Sequence, residues 1–148
     1  MTEKVFNQVE PVTMLERMEI IGFLHEQLKE TGESKEQIGF ALDYAMNSNP
    51  LAGGFILRMK EGNKIVGIVV MNKTGMQGYV PENILVYIVI HPKFRRQGLA
   101  KKMMTRAMQM AKGDIAMHVH EDNPEYHLSK DMGFQPAFLQ MRYIENNQ

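Results

Sequence analysis

The sequence contains no cysteine, so disulfides, thiolate nucleophiles and sulfur-bound zinc are all excluded. Acyl transfer through a covalent cysteine intermediate is excluded with them. An excess of charge of either sign is also missing, because Lys+Arg and Asp+Glu both total 17. A general nucleic-acid binder needs a surplus of positive charge, so that class of function is not expected.

Long apolar runs are missing as well. The longest, Ile84 to Ile90, is far too short to cross a bilayer. No apolar run follows Met1 to Lys4, so we expect no signal peptide. We therefore expect a cytoplasmic protein that binds neither membrane nor nucleic acid. The 148 residues, 44% of them hydrophobic, predict a single domain over residues 1–148 with a substantial core.

Periodicity predicts two helices early in the chain, from Thr13 to Lys29 and after a cap at Ser34. Each cap has Glu or Gln three residues later, which is the capping-box pattern. The remaining predicted strands are Val5–Glu10, Phe55–Lys60, Ile65–Met71, Asn83–Ile90 and Ile115–His120, and Phe134–Glu145 is predicted as a last strand or hairpin. The remaining predicted helices are Gln97–Lys112 and Pro124–Met132.

The order of these elements predicts the fold class. A strand–helix–strand unit from Asn83 to His120 favours a right-handed parallel crossover, whereas the hairpin before it is antiparallel. The nearly continuous apolar stretch from Asn83 to Ile90 is expected at the centre of the sheet. We therefore expect an α/β (α+β) fold with a mixed, mostly antiparallel central sheet flanked by helices on both faces.

The segment from Ile88 to Ala100 is the most informative one: a strand, His-Pro, a basic turn, and Arg-x-x-Gly-x-Ala at a helix start. The first turn of a helix has unpaired N–H groups and the positive end of the helix dipole. Gly98 leaves the backbone accessible, and Arg95, Arg96 and Lys101 add positive charge. A plain strand-to-helix turn could use the same residues, but the fixed order favours a phosphate cradle, most plausibly for a pyrophosphate.

This order resembles the signature segment of the GNAT superfamily of acetyl-CoA-dependent N-acyltransferases, with Ala100 in the second small position. The resemblance implies a GNAT-like acyl-CoA N-acyltransferase fold and acetyl-CoA as the acyl donor. In that family the crossover strands splay apart, and the pantetheine arm pairs with the exposed strand edge. The coenzyme-binding residues that the resemblance implies are Ile88, Val89, Ile90, Arg95, Arg96, Gln97, Gly98, Leu99, Ala100, Lys101 and Asn123.

A second family pattern, Val-x-x-x-Asn followed by a short helix and Gly-Phe, fits Val119 to Asn123 and Gly133-Phe134. Many members carry a tyrosine four residues before that glycine, which protonates the leaving thiolate, but this chain has Ser129 there. A serine hydroxyl is a much weaker acid than a phenol, whose pKa is ~10. Tyr126 is near in sequence but out of register, so a water, Tyr126 or Ser129 is the candidate general acid.

Many members of the family also use a glutamate on the central strand as general base, where this chain has Val86 and Tyr87. Glu82, just before the strand, is the nearest carboxylate and the candidate base, although a glutamate at a strand start is usually solvated. His118 and His120 share one face of their predicted strand, but no third ligand is clearly placed, so no metal is expected.

The sequence therefore predicts an N-acetyltransferase that moves an acetyl group from acetyl-CoA to a primary amine of a small molecule or peptide, without a covalent enzyme intermediate. One alternative is a catalytically silent acyl-CoA-binding module that acts as a sensor or partner subunit, which the missing tyrosine favours. A mononucleotide or phosphosugar binder with the same helix start is another. Dimers are common in that family, so a homodimer is a candidate assembly. The sequence does not identify the acceptor substrate.

Overall fold

The computed structural model describes residues 1–119, 122 and 124–146. The chain divides into two compact units, Met1–His118 and Val119–Gln148. The first unit contains β1 (Thr2–Phe6), α1 (Met14–Gln27), a 3₁₀ turn (Lys29–Thr31), α2 (Lys35–Ala45), β2 (Gly54–Glu61), β3 (Lys64–Lys73), β4 (Asn83–Ile90), a second 3₁₀ turn (Pro92–Phe94), α3 (Leu99–Met110) and β5 (Ile115–Met117). The second unit contains α4 (Pro124–Asp131).

The five strands form one sheet in the order β1-β2-β3-β4-β5. The first three pairings are antiparallel, and β4 pairs with β5 in parallel. Because α3 connects the two parallel strands, the crossover that the sequence predicted is confirmed. Strand order follows chain order, so the sheet is a meander that ends in a single crossover.

Helices cover both faces of the sheet. On one face, α1 and α2 pack over a buried apolar cluster that includes Ile68 and Tyr87. Gly67 faces the opposite way, since successive residues of a strand alternate between faces. A Cβ at Gly67 would collide with the Sδ atom of Met103 on α3, so glycine permits this helix to lie close to the sheet. The predicted fold class is confirmed.

Local caps begin α1 and α2 as the sequence predicted. Thr13 with Glu16, and Ser34 with Gln37, each form a complete capping box. Glu16 also accepts a hydrogen bond from Lys4 at 3.0 Å. Burial alone would raise the pKa of Glu16, but its hydrogen bonds with Thr13 and Lys4 lower that pKa to about 2. The carboxylate thus ties the start of α1 to β1.

Two predicted boundaries are wrong for local reasons. The first strand ends at Phe6 rather than Glu10, because the Asn7 side chain accepts hydrogen bonds from the N–H groups of Val9 and Glu10 and turns the chain. The third helix begins at Leu99 rather than Gln97, because Gly98 is in the left-handed conformation with φ +77°.

Two predicted strands near the end of the chain also differ. β5 stops at Met117, and of the residues predicted to continue it, His118 and Val119 are not strand and His120 lies outside the described residues. Residues 134–146 form neither helix nor strand, with Phe138, Met141 and Tyr143 exposed. A strand needs the hydrogen bonds of a neighbour, so an apolar pattern alone does not make one.

Candidate functional site

The turn between β4 and α3 leaves several backbone N–H groups without partners in the helix. Gly98 is the N-cap and offers no side-chain hydrogen bond, and the first bond of the helix runs from the Lys102 N–H to the Gly98 carbonyl at 3.0 Å. The N–H groups of Leu99, Ala100 and Lys101 therefore point out of the helix start. A Cβ at Gly98 would meet nothing within 4 Å, so the space above these groups is open.

The same turn has a positive electrostatic potential. His91 caps the 3₁₀ turn before α3, and its Nδ1 atom accepts the N–H of Lys93 at 3.1 Å. Burial, followed by the charges of Lys64, Lys93 and Arg95, lowers the pKa of His91. The positive end of the α3 dipole acts in the same direction. The three basic side chains and the helix start, rather than the burial of His91, are the features of this turn that favour an anionic ligand.

The side chains of the turn divide into two groups. Arg95 Nε donates to the carbonyl of Ile90 at 3.3 Å, and Gln97 Nε2 donates to the carbonyl of Lys93 at 3.4 Å, so both hold the turn in shape. Arg96 and Lys101 are exposed. A cavity of about 450 Å³ adjoins Gly98, and its basic lining residues are Lys101, Lys102 and Arg106.

The outer edge of β4 is unpaired near this turn. β5 pairs only with Asn83 to Leu85, and beyond Leu85 no described strand covers the edge. On the other side, the register with β3 skips Val86, which is a β-bulge. Ile88, Val89 and Ile90 follow it on this edge, and of these the Ile90 carbonyl already accepts the hydrogen bond from Arg95. Among the described strands, β5 thus pairs with the first three residues of β4 alone.

Glu82 lies at the other end of β4. Its carboxylate accepts the N–H of Asp114 at 3.2 Å, and it occupies the space that a Cβ of Gly113 would take. Glu82 lies four residue steps along the strand from the bulge at Val86, a distance of about 13 Å. The structure thus does not bring this candidate base to the unpaired edge, and gives it a contact that stabilises the start of β5 instead.

The candidate acids lie on α4 in the second unit. Ser129 Oγ donates to the Glu125 carbonyl at 2.6 Å, so its proton is engaged within the helix. Tyr126 packs edge-on against the ring of His127, and Lys130 Nζ lies 5.4 Å from the centre of the Tyr126 ring. Asn123, the remaining coenzyme-binding candidate of this segment, lies outside the described residues.

One pair of residues that the sequence analysis missed is Glu33 and Tyr87. The phenol of Tyr87, on β4, donates to the carboxylate of Glu33, between α1 and α2, at 2.5 Å. Burial, followed by the hydrogen bond and charge of Glu33, raises the pKa of Tyr87, so the phenol remains a donor. The sequence contained one signal for this pair, because a tyrosine within an aliphatic central strand needs a partner for its hydroxyl.

The described residues contain no group of three or more His, Asp or Glu that could hold a metal ion. Among the helices built from them, none has both the length and the apolar character required to cross a membrane.

Comparison with known proteins identifies a family that the chain matches. Residues 19–134 match the model of the acetyltransferase (GNAT) family. A search of curated protein sequences found no significant match.

Solved structures share the fold. A GNAT family acetyltransferase, SP0256 from Streptococcus pneumoniae TIGR4, aligns at 17% identity and a TM-score of 0.67 over 99% of this chain and 98% of that one. PH1933 from Pyrococcus horikoshii OT3 aligns at 21% identity and 0.67, over 95% and 93% of the two chains. The aminoglycoside 6'-N-acetyltransferase AAC(6')-IG from Acinetobacter haemolyticus aligns at 15% and 0.65 over 100% of both. The family match covers most of the sequence, and the chain belongs to the acetyltransferase (GNAT) family.

Proposed function

We propose that this chain is an N-acetyltransferase that moves an acetyl group from acetyl-CoA to a primary amine of a small molecule or peptide. One observation carries the proposal: the unpaired N–H groups at the start of α3 follow directly after the unpaired edge of β4. The first feature suits a diphosphate and the second suits an extended pantetheine arm. The family match runs from residue 19 to residue 134, across both compact units, which supports a single functional domain over residues 1–148.

The coenzyme has complementary groups along this segment. The N–H groups of Leu99, Ala100 and Lys101 bind the pyrophosphate oxygens, and the exposed side chains of Arg96 and Lys101 supply countercharge. Gly98 keeps the approach open, since a Cβ would project into the same space. The outward backbone groups of Ile88 and its neighbours hold the pantetheine amides, as an added strand would be held.

The bulge at Val86 gives the reaction its geometry. An outward N–H of this stretch donates to the thioester oxygen and stabilises the negative charge that develops there. The amine nitrogen attacks the carbonyl carbon, the C–S bond breaks, and sulfur leaves as the thiol once it is protonated. The chain has no cysteine, so an intermediate held as a cysteine thioester is excluded, and we propose direct transfer. Holding both reactants together supplies much of the rate enhancement.

Proton transfer uses groups that are available to donate or accept. Tyr126 is a better candidate acid than Ser129, because the serine proton is already donated to the Glu125 carbonyl. Glu82 is too far along β4 to accept the amine proton directly. We therefore assign that proton to water and the thiolate proton to Tyr126.

A panel of amines tests the proposal. The protein is incubated with acetyl-CoA and amines, polyamines, amino acids or peptides, while thiol release and the mass of the acetylated amine are measured. We expect thiol release that depends on both the amine and the enzyme. Tight binding of ATP without binding of CoA would contradict the proposal and favour a nucleotide or phosphosugar binder.

A catalytically silent acyl-CoA-binding module is the second candidate function. The observation in its favour is that Ser129 stands where many members carry the tyrosine, with its hydroxyl engaged in α4. The same panel separates the two candidates. Acetyl-CoA binding without thiol release for any amine would favour the silent module.

A further inference from the structure

The carboxylate of Glu33 differs from the ion-paired carboxylates of the first unit. Those of Glu3, Glu16, Glu19 and Asp43 each pair with a lysine or an arginine. Glu33 is instead held by the neutral phenol of Tyr87, and within the described residues no lysine or arginine pairs with it. The bond fixes the position of the carboxylate but leaves its negative charge unneutralised.

Tyr87 connects the carboxylate of Glu33 to the unpaired edge of β4. Tyr87 directly follows the bulge residue Val86, and its side chain belongs to the apolar cluster under α1 and α2. Its phenol reaches Glu33 in the connection between those helices. The carboxylate therefore lies one tyrosine side chain away from the main chain that we assign to the thioester.

We propose that Glu33, positioned by Tyr87, is a specificity-determining residue that binds a second, non-reacting cationic group of the acceptor. This inference rests on the proposed function and names the acceptor class: amines that carry another positively charged nitrogen a few carbon atoms from the reacting one. The reacting nitrogen lies at the backbone of β4, and the second nitrogen lies at Glu33.

Three physical arguments favour a cation at this position. Glu33 is half-buried, so a charge pair there is screened less than one in open solvent. The Tyr87 hydroxyl uses one acceptor site of a carboxylate that has about four, which leaves sites for an ammonium group. A carboxylate fixed in advance also costs less entropy to use in binding.

The test compares two acceptors of the same carbon length, diaminobutane and butylamine, in the wild type and in Glu33→Gln. The substitution removes the charge but keeps the size of the side chain. We expect KM for diaminobutane to rise about tenfold, because a charge-assisted contact is lost. KM for butylamine and for acetyl-CoA should not change. Glu30→Gln, an exposed change of the same kind three residues earlier, is the matched control and should alter neither KM.

A second variant tests the role of the phenol. Tyr87→Phe keeps the ring in the core but no longer fixes the carboxylate, so KM for diaminobutane should rise by about threefold, with kcat unchanged. Thermal unfolding of each variant establishes that it is folded. If Tyr87→Phe leaves KM for diaminobutane unchanged, Tyr87 is not a positioning residue.

The outcomes separate this inference from the proposed function. Wild-type protein that releases no thiol with any amine overturns both. A wild type that acetylates amines, with an unchanged KM for diaminobutane in Glu33→Gln, overturns the inference alone. Equal losses for diaminobutane and butylamine also overturn it, because they would place Glu33 at the reacting nitrogen.

Discussion

The two ends of β4 use their polar groups in opposite ways. At the amino end, Asn83 is buried, and its side-chain amide donates to the carbonyls of Lys112 and Asp114 at 2.7 and 3.2 Å. Glu82 there accepts the N–H of Asp114. At the carboxyl end, the helix start at Gly98 has no side-chain cap, and the turn is positively charged. Eight residues of strand, about 23 Å at most, separate the two ends.

The difference distinguishes structural from functional polar groups. The amino end lies beside the segment that follows α3, and the Asn83 side chain donates to two carbonyls of that segment. The carboxyl end lies beside the start of α3, where the N–H groups have no such partners. The open set is the one that we propose for the coenzyme.

The largest expected effect is at the carboxyl end of β4, which we call the open end because the N–H groups at the start of α3 lack partners there. Gly98→Glu should weaken CoA binding at least about a hundredfold, because a carboxylate would occupy the space of the phosphate and repel it. Gly62→Glu is the matched control, since Gly62 also has a positive φ, +59°, and open space, but lies in the turn between β2 and β3. Calorimetric titration with CoA measures both. Unchanged affinity in Gly98→Glu would refute the cradle.

Substitutions at the amino end of β4, the closed end, should change the stability of the protein rather than its affinity for CoA. Asn83→Ala removes two hydrogen bonds from buried groups, so the free energy of unfolding should fall by about 2 kcal/mol. Urea denaturation measures the change, and the Kd for CoA should stay that of the wild type. A weakened Kd at full stability would mean that the two ends are not distinct.

Glu82 sharpens the comparison, because it was the candidate base. In Glu82→Gln we expect the free energy of unfolding to fall by about 0.5 kcal/mol, since a neutral oxygen is a weaker acceptor for the Asp114 N–H. The rate of amine acetylation should not change. Removal of a general base would instead lower kcat by about a hundredfold or more, and that result would return Glu82 to the reaction.

The smallest expected effect is a change in protonation at the open end. A bound diphosphate adds negative charge near His91, so the pKa of His91 should rise when CoA binds. Protonation then favours binding, and the affinity for CoA should weaken as the pH rises through the titration of His91. NMR titration of the His91 ring with and without CoA measures this, and an unchanged titration of that ring on addition of CoA would contradict it.

Local signals in the sequence predicted much of the fold and one part of the site. Both capping boxes depend on residues three apart, and the turn before α3 is a continuous segment, so their patterns are readable directly. Gly98 lies at the turn before α3, although it precedes the helix rather than lying inside it, and its part in coenzyme binding stays a prediction.

Contacts between residues far apart in the chain could not be predicted from the sequence. Glu33 and Tyr87 are 54 positions apart, and Asn83 and Lys112 are 29 apart, so neither pairing leaves a local pattern. The predicted strand over Phe134–Glu145 was wrong for a related reason. Alternating apolar residues indicate what a strand would look like, but its formation depends on an edge supplied by other parts of the chain.

The central claim is that the open end of β4 binds the coenzyme. The most direct measurement is a CoA titration followed by the backbone amide resonances of the labelled protein. We expect saturable shifts at Leu99, Ala100 and Lys101 and along the edge from Val86 to Val89, with none at Asn83 or Asp114. Shifts centred on Asn83 and Asp114, with the start of α3 unaffected, would contradict the account.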